Sequence, residues 1–531
     1  MGNWTNSTFA SEAEETVAFF STTLIQPVAL AFMATLVLAT VMERLKISCI
    51  PESAVVIVCG AVLGYVLDTS KLISHGGLLE ANAPLVNLVF LPLIIFDSGW
   101  SLRSKDFAAQ FSYILVFAVI GTFINTFAVG SMIVATGSYH GITDMRTAFT
   151  FASLIAATDP VATLTTYSAL NVEPLLHIFV FGESTINDAV AIVTFDIMNG
   201  PELFETLSDG ELPATQILEA IAMGIGQKLV GSILVGVFLA VCYTFVLKIG
   251  DMRHANSFEI LYVVTSCYLT FATAERLHCS GIIAVLFCGV FMGIYAKPHF
   301  SEEGRVLSSF FIKEMATLAD MGIFLLVGMD TTLLNVKSLN LSLWVMLFCL
   351  IGRAIATFPC GFAVNCIKKW SAGKGNEAPL LLPTKYIFMM WHAGLRGGIA
   401  LVLCLEMGDW VDKQVKQELI NTTVVVVLCF LIVFGGSTEA FLKYLDIPMG
   451  MVVDEGYLYD KSLPSFAHRF FEVADSKVFS PMLKPSAENE KEAPMELRER
   501  MAQLTRRARG MYWFKAALGE DDEEDETAES E

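Results

Sequence analysis

Along most of this chain the apolar residues neither alternate nor recur every third or fourth position. They run on, in blocks separated by short charged or glycine-containing connections. Crossing roughly 30 Å of hydrocarbon as a helix takes about 20 residues. On that measure about thirteen blocks qualify, near 17–41, 53–68, 84–98, 110–136, 147–168, 174–198, 221–247, 258–277, 281–296, 314–334, 342–367, 384–406 and 418–441. Barrel strands would show about ten residues of alternating polarity. The pattern therefore predicts an all-α polytopic membrane protein.

Two blocks carry signals that end a helix. In FASLIAATDPVATL, residues 151 to 164, Asp159 stands directly before Pro160. Proline removes a backbone donor and disfavours helical geometry at the residue before it, so the break is expected at Thr158-Asp159. In WHAGLRGGIALV the glycines at 394, 397 and 398 suggest a second interruption. The interrupted blocks are the fifth and twelfth of thirteen. With the seventh as a linker they fall at matching places in two inverted six-helix repeats, an arrangement that puts a binding site between the breaks.

Composition agrees with the pattern, at 54% hydrophobic and 17% charged residues with a mean hydropathy of +0.59. Lys and Arg favour the loops that face the cytoplasm if the N-terminus lies outside, among them Arg44, Arg103, Lys248, Lys297, Lys368 and Lys385. The expected domains are an extracellular or lumenal segment 1–16, a membrane domain 17–441 and a cytoplasmic tail 442–531. Sequons begin at Asn3 and Asn6 on the outer segment. The tail contains a basic stretch, 495 to 519, interleaved with Met, Leu, Tyr, Trp and Phe. It reads either as an amphipathic helix for lipid or a regulatory partner, or as an ordinary surface helix. Nine of the last twelve residues are Asp or Glu, so nearly half of the net charge of −20 sits at the end of the tail, and it gives no reason to expect nucleic acid. The eleven scattered cysteines show no Cys-x-x-Cys spacing and read as packing residues.

Against this background the stretch FGESTINDAVAIV, 181 to 193, is unusual, because it carries Glu183 and Asp188 in hydrocarbon. Ionisable groups there are costly and face protein or water. Glu183 and Asn187, four apart, share a helix face, while Asp188 is turned by about 140° from Glu183. One carboxylate can thus be held by a cation such as Arg353 or Arg396 while the other stays available.

The ATDP segment, LLHIFVFGESTINDAVAIV, CSGIIAVLFCGVFMG, ADMGIFLLVGMD and HAGLRGGIAL resemble, in order and over residues 20 to 440, the eukaryotic sodium/proton exchangers of the cation/proton antiporter superfamily. The segment SFAHRFFEVADSKVFSPMLKP is more similar to the endosomal, Golgi and vacuolar branch than to the plasma-membrane branch. The resemblance implies that Asp188 takes either a proton or a cation, that Asp159 and Thr158 line the same site, and that Ser184 is a neighbouring oxygen donor. It implies an ion pair of Glu183 with Arg353, charge compensation by Arg396, and one-for-one exchange from Asn187, where electrogenic relatives carry Asp. Asp320 stands where many members have Glu, and Asp97 matches an acid at the mouth of the cavity. Glu275 reads as an interfacial or paired residue. A homodimer is implied too, with helices 4–6 and 11–13 moving against the remainder.

Burial and nearby positive charge pull a carboxylate's proton affinity in opposite directions. A balance between them lets a proton and a hard cation compete for one acid. The expected function is electroneutral Na+/H+ antiport by alternating access, with Na+ at Asp188 and Asp159. K+/H+ exchange is the alternative, since nothing in an oxygen ligand set fixes cation size, and Li+ is a further candidate ion. No Walker-type phosphate loop or other cofactor motif is present in the sequence, and an enzyme is not expected. A channel lacks a filter-like motif, and a transporter-like sensor lacks an output domain.

Overall fold

The computed structural model describes residues 22–44, 52–69, 86–102, 104–159, 161–200, 214–250, 256–330, 338–372, 380–408, 410–451, 458, 473 and 475–483. The segment 1–16 with its sequons, Pro160, the basic stretch 495–519 and the acidic terminus lie outside the described residues. All regular structure among the described residues is helical.

In chain order the helices are α1 (Thr22–Arg44), α2 (Glu52–Thr69) and α3, a π turn Val86–Phe90 leading into Leu91–Trp100. α4 comprises Ser104–Leu115, a π turn Val116–Gly121 and Thr122–Ala135. α5 (Met145–Ile155) and α6 (Val161–Ala169) are separated by non-helical backbone, and α7 (Pro174–Asn199) follows. Next come α8 (Ala214–Gly250), α9 (Asn256–Arg276), α10 (Gly281–Tyr295), α11 (Glu302–Asp330) and α12 (Ser338–Ala372). α13 (Thr384–His392) and α14 (Gly398–Leu405) flank a second non-helical stretch, and α15 consists of Lys413–Phe430, a π turn Leu431–Gly435 and Gly436–Tyr444.

Local sequence accounts for several of these boundaries. Asp144 caps α5, its carboxylate accepting from the Thr147 N–H at 2.8 Å and hydroxyl at 2.6 Å. Partial burial pushes the Asp144 carboxyl up, but these bonds and the Arg146 charge outweigh it and leave the group below its ordinary range. Pro174 opens α7, where a missing N–H costs nothing. Close helix crossings use small residues, as membrane bundles do. A Cβ on Gly60 of α2 would sit 2.4 Å from the Leu325 carbonyl oxygen of α11, so only glycine permits that approach.

Stretches in α4, α7, α8, α12 and α15 have the length and hydropathy to cross a membrane. Their surroundings differ sharply: the apolar window in α7 is 94% buried, whereas that in α8 is 22% buried. α8 presents Leu234, Phe238 and Ile249 outward, as a hydrocarbon-facing helix does, while α7 is wrapped in protein. α4, α5, α7, α12 and α15 pack extensively on one another, and α2, α3, α8, α9, α10 and α11 form a second packed set. The two sets meet along thinner seams, where α7 touches α8 and α14 touches α11.

Lys368, read from sequence as a loop cation, lies inside α12 and is buried. Its Nζ donates to Gln110 Oε1 and the Leu380 carbonyl, both at 3.0 Å, and stands 4.7 Å from the Tyr113 ring centre. Beyond α15 the chain folds back onto the bundle. Gly450 N–H donates to the Leu170 carbonyl, and Leu458 N–H to Asp106. Phe479 packs against Phe291 and Tyr295.

Candidate functional site

The two non-helical stretches meet. Asp159 N–H, past the end of α5, donates to the Leu395 carbonyl between α13 and α14 at 3.0 Å. A Cβ on Gly397 would lie 2.4 Å from Asp159 Cβ, so glycine at 397 lets the two non-helical segments cross this closely.

Helix breaks leave carbonyls and N–H groups without helical partners, and here side chains of α7 and Arg396 supply them. The fully buried Arg396 donates from Nη1 to the Ala156 and Ala157 carbonyls, at 2.9 and 3.1 Å, placing positive charge on the carbonyl end of α5. Asn187 Nδ2 reaches the Ala156 carbonyl at 3.3 Å and Thr158 Oγ1 at 3.0 Å, while Thr122 Oγ1 of α4 holds its Oδ1 at 2.7 Å. The Ser184 hydroxyl donates to the Thr158 carbonyl, so the 3.0 Å contact between the two hydroxyls must use the Thr158 proton. Thr158 N–H donates to Asp188 Oδ1 at 3.0 Å. The sequence-expected residues Thr158, Ser184, Asn187 and Asp188 are thus joined in one network, and the Asn187 amide is committed to holding the break.

One turn before Asn187 on α7, Glu183 forms a buried two-pronged pair with Arg353, with Nη1 to Oε1 at 2.6 Å and Nη2 to Oε2 at 2.7 Å. Arg353 Nη2 also reaches the Met390 carbonyl of α13 at 3.1 Å. The pair therefore joins α7, α12 and the approach to the second break.

A cavity of about 50 Å³ opens beside the crossing, bordered by Asp159, Asp188, Asp320, Thr158, Thr185 and Ser98 together with isoleucines 94, 95, 323 and 399. Asp320 of α11 is thus on the cavity wall. Asp97 is not; the charges that act on it are Lys313 and Lys297. Ser184 does not border the cavity either, since its hydroxyl is turned into the Thr158 backbone. Glu275 accepts from Gly281 N–H at 2.7 Å, bracing the turn between α9 and α10. Among the described residues no three His, Cys, Asp or Glu side chains converge as metal ligands.

Sequence reading missed Thr185, Ser98 and Thr122. Thr185 had a usable signal: three residues before Asp188 on one helix, it shares that face. Ser98 had none, because only the position of α7 across the bundle brings α3 into range.

Carboxylates around a small buried cavity, where two interrupted helices cross inside an apolar bundle, define a secondary transporter rather than an enzyme. Residues 28–444 match the family described as sodium/hydrogen exchanger, transmembrane. Sodium/hydrogen exchanger 8 of Mus musculus is 31% identical over 422 residues, 78% of this chain and 70% of that protein. Sodium/hydrogen exchanger 5 of Arabidopsis thaliana is 27% identical over 418 residues, 77% of each. The sodium proton antiporter MjNhaP1 of Methanocaldococcus jannaschii shares the fold, with a TM-score of 0.57, 18% identity, and coverage of 80% of this chain and 98% of that one. The chain belongs to the sodium/hydrogen exchanger family.

Proposed function

We propose that this protein exchanges Na+ for H+ one for one across a membrane, with the two ions alternating at Asp188. The observation that carries the proposal is the cavity at the helix crossing, where Asp188 stands with Asp159, Thr158 and Asp320 in an otherwise apolar bundle. Carboxylate and hydroxyl oxygens suit a hard cation, and a proton satisfies the same carboxylate when the cation leaves. Asn187 holds the break and adds no titrating group, which favours an electroneutral cycle. Arg396 offsets the acids from the carbonyl end of α5, and Glu183 with Arg353 fixes α7 so that Asp188 keeps its position. The helix set containing both breaks carries the site against the other set, exposing it to each side in turn, in a homodimer with thirteen crossings arranged as inverted repeats. The tail faces the cytoplasm, in the plasma membrane or an endosomal, Golgi or vacuolar membrane, where lipids and a regulatory protein can engage it.

Purified protein in liposomes with an internal pH dye, challenged with Na+, Li+ and K+ in turn, tests this directly. Na+ is expected to drive proton movement, and a potential imposed with valinomycin is expected to leave its initial rate nearly unchanged. Were one charge carried per cycle, 100 mV would bias the cycle by about 2.3 kcal/mol. Exchange that follows the potential would show that Asp159 or Asp320 carries a second proton. Movement driven by K+ alone would overturn the choice of Na+.

A further inference from the structure

The wall of the acid cavity is divided between the two helix sets. α7 and the two breaks contribute Asp159, Asp188, Thr158 and Thr185, whereas α3 and α11 contribute three isoleucines, Ser98 and Asp320. Among the described residues, Asp320 is therefore the one ionisable side chain on the half of the wall that does not belong with Asp188. No Lys, Arg or His of the described residues borders the cavity to neutralise it.

Backbone contacts fix Asp320 within its own set and bring the other set up to it. A Cβ on Gly328 of α11 would collide with the Ile57 carbonyl oxygen of α2, and one on Gly64 of α2 with the Met329 carbonyl oxygen of α11. α11 is thereby keyed to α2. One turn past Asp320, a Cβ on Gly398 would lie 2.5 Å from Ile323 Cγ2, so the start of α14 rests on the same face of α11. Gly397, the residue before it, packs on Asp159. The second break thus lies between α11 and Asp159, and Asp159 is the charge that acts on Asp320. It acts on Asp188 as well.

Neighbouring carboxylates raise one another's affinity for a proton or a cation, because either one relieves their repulsion. In the orientation described here, an ion at Asp188 and Asp159 is held in the field of Asp320 too. When the breaks carry those two acids away, α11 and its carboxylate stay behind.

We propose that Asp320 sets the sidedness of cation binding: fixed in the stationary helix set, its carboxylate strengthens binding at Asp188 and Asp159 in this orientation alone, so that Na+ is held more tightly at one membrane face than at the other. Affinity at one face is then adjustable without altering the acids that travel. The proposal rests on the antiport reading above.

The experiment compares wild type with Asp320→Asn and Asp320→Glu in everted and in right-side-out membrane vesicles. It reads the half-saturating Na+ concentration for proton movement at alkaline pH, where protons compete least. Asparagine keeps the shape of aspartate and removes its charge. It is expected to raise the half-saturating concentration about tenfold in one vesicle type and to leave it within about twofold in the other, the scale of one charge lost beside a buried ion. Glutamate restores the charge and should bring both values to within about twofold of wild type. A lesion of packing alone has no reason to respect the side of the membrane. Equal shifts in both vesicle types overturn the proposal, as does wild-type Na+ dependence in Asp320→Asn, or a one-sided shift that glutamate does not reverse. Wild-type vesicles without Na+-driven proton movement would instead overturn the antiport reading, and the sidedness with it.

Discussion

Asp188→Asn is expected to abolish cation-driven proton movement, lowering the initial rate by at least about a hundredfold, the scale on which loss of an obligatory proton-transfer group acts. The amide keeps the shape of the carboxylate, and its oxygen can still accept from Thr158 N–H, the bond that measures 3.0 Å in the native site. Folding should therefore survive, and a size-exclusion profile like that of wild type is part of the expected result. What the amide cannot do is release a proton to one side and take one from the other. Dye-reported exchange with Na+ in proteoliposomes checks this, and exchange close to the wild-type rate would remove Asp188 from its role.

The second large effect concerns stability. Glu183→Gln or Arg353→Met alone leaves a buried charge without its partner, which costs roughly 3–5 kcal/mol. The double variant leaves neither charge and should lose less than the sum of the singles. The geometry gives the coupling its strength: two parallel bonds of 2.6 and 2.7 Å with both side chains buried. Thermal stability in detergent across the four proteins measures it. Additive losses would mean that the pair does not act as a unit. Asn187 Nδ2 also donates to Glu183 Oε1 at 3.5 Å, so a small residual effect in the double variant is expected from that contact.

What the sequence made legible divides along a physical line. Signals that act within one helix were readable. Asp-Pro at 159 and the glycines at 394, 397 and 398 stop helices through local backbone chemistry, and both breaks are there. The face rule at 183 and 188 also acts within one helix, and it separates Glu183, which meets Arg353, from Asp188, which meets the cavity. Which partner each face meets was not readable. Glu183 and Arg353 are 170 residues apart, and only the resemblance joined them in advance.

The same limit explains the displaced expectations. Ser184 has the right element for an ion ligand, but its position opposite Thr158 turns its proton into the backbone. Asp97 and Ser98 are neighbours in sequence, yet a helix rotates about 100° per residue. That step is enough to put the serine rather than the acid on the cavity wall. Lys368 reads as a loop cation because a run of Lys-Lys-Trp ends an apolar block. In the fold α12 extends past that block, and Gln110 with the Leu380 carbonyl replaces water around the ammonium.

The claim at the centre is that proton and cation exclude one another from a single buried carboxylate. The most direct test is the Na+ saturation curve of exchange by the wild-type protein in proteoliposomes, recorded over a series of pH values on the Na+-binding side. A ligand that must lose its proton to bind a cation makes cation affinity depend on pH. The half-saturating Na+ concentration should therefore climb toward about tenfold per unit fall in pH on the acid side, with the same maximal rate recovered at saturating Na+. A half-saturating concentration that stays constant while the maximal rate falls with acidity would contradict the account, because proton and Na+ would then occupy separate sites.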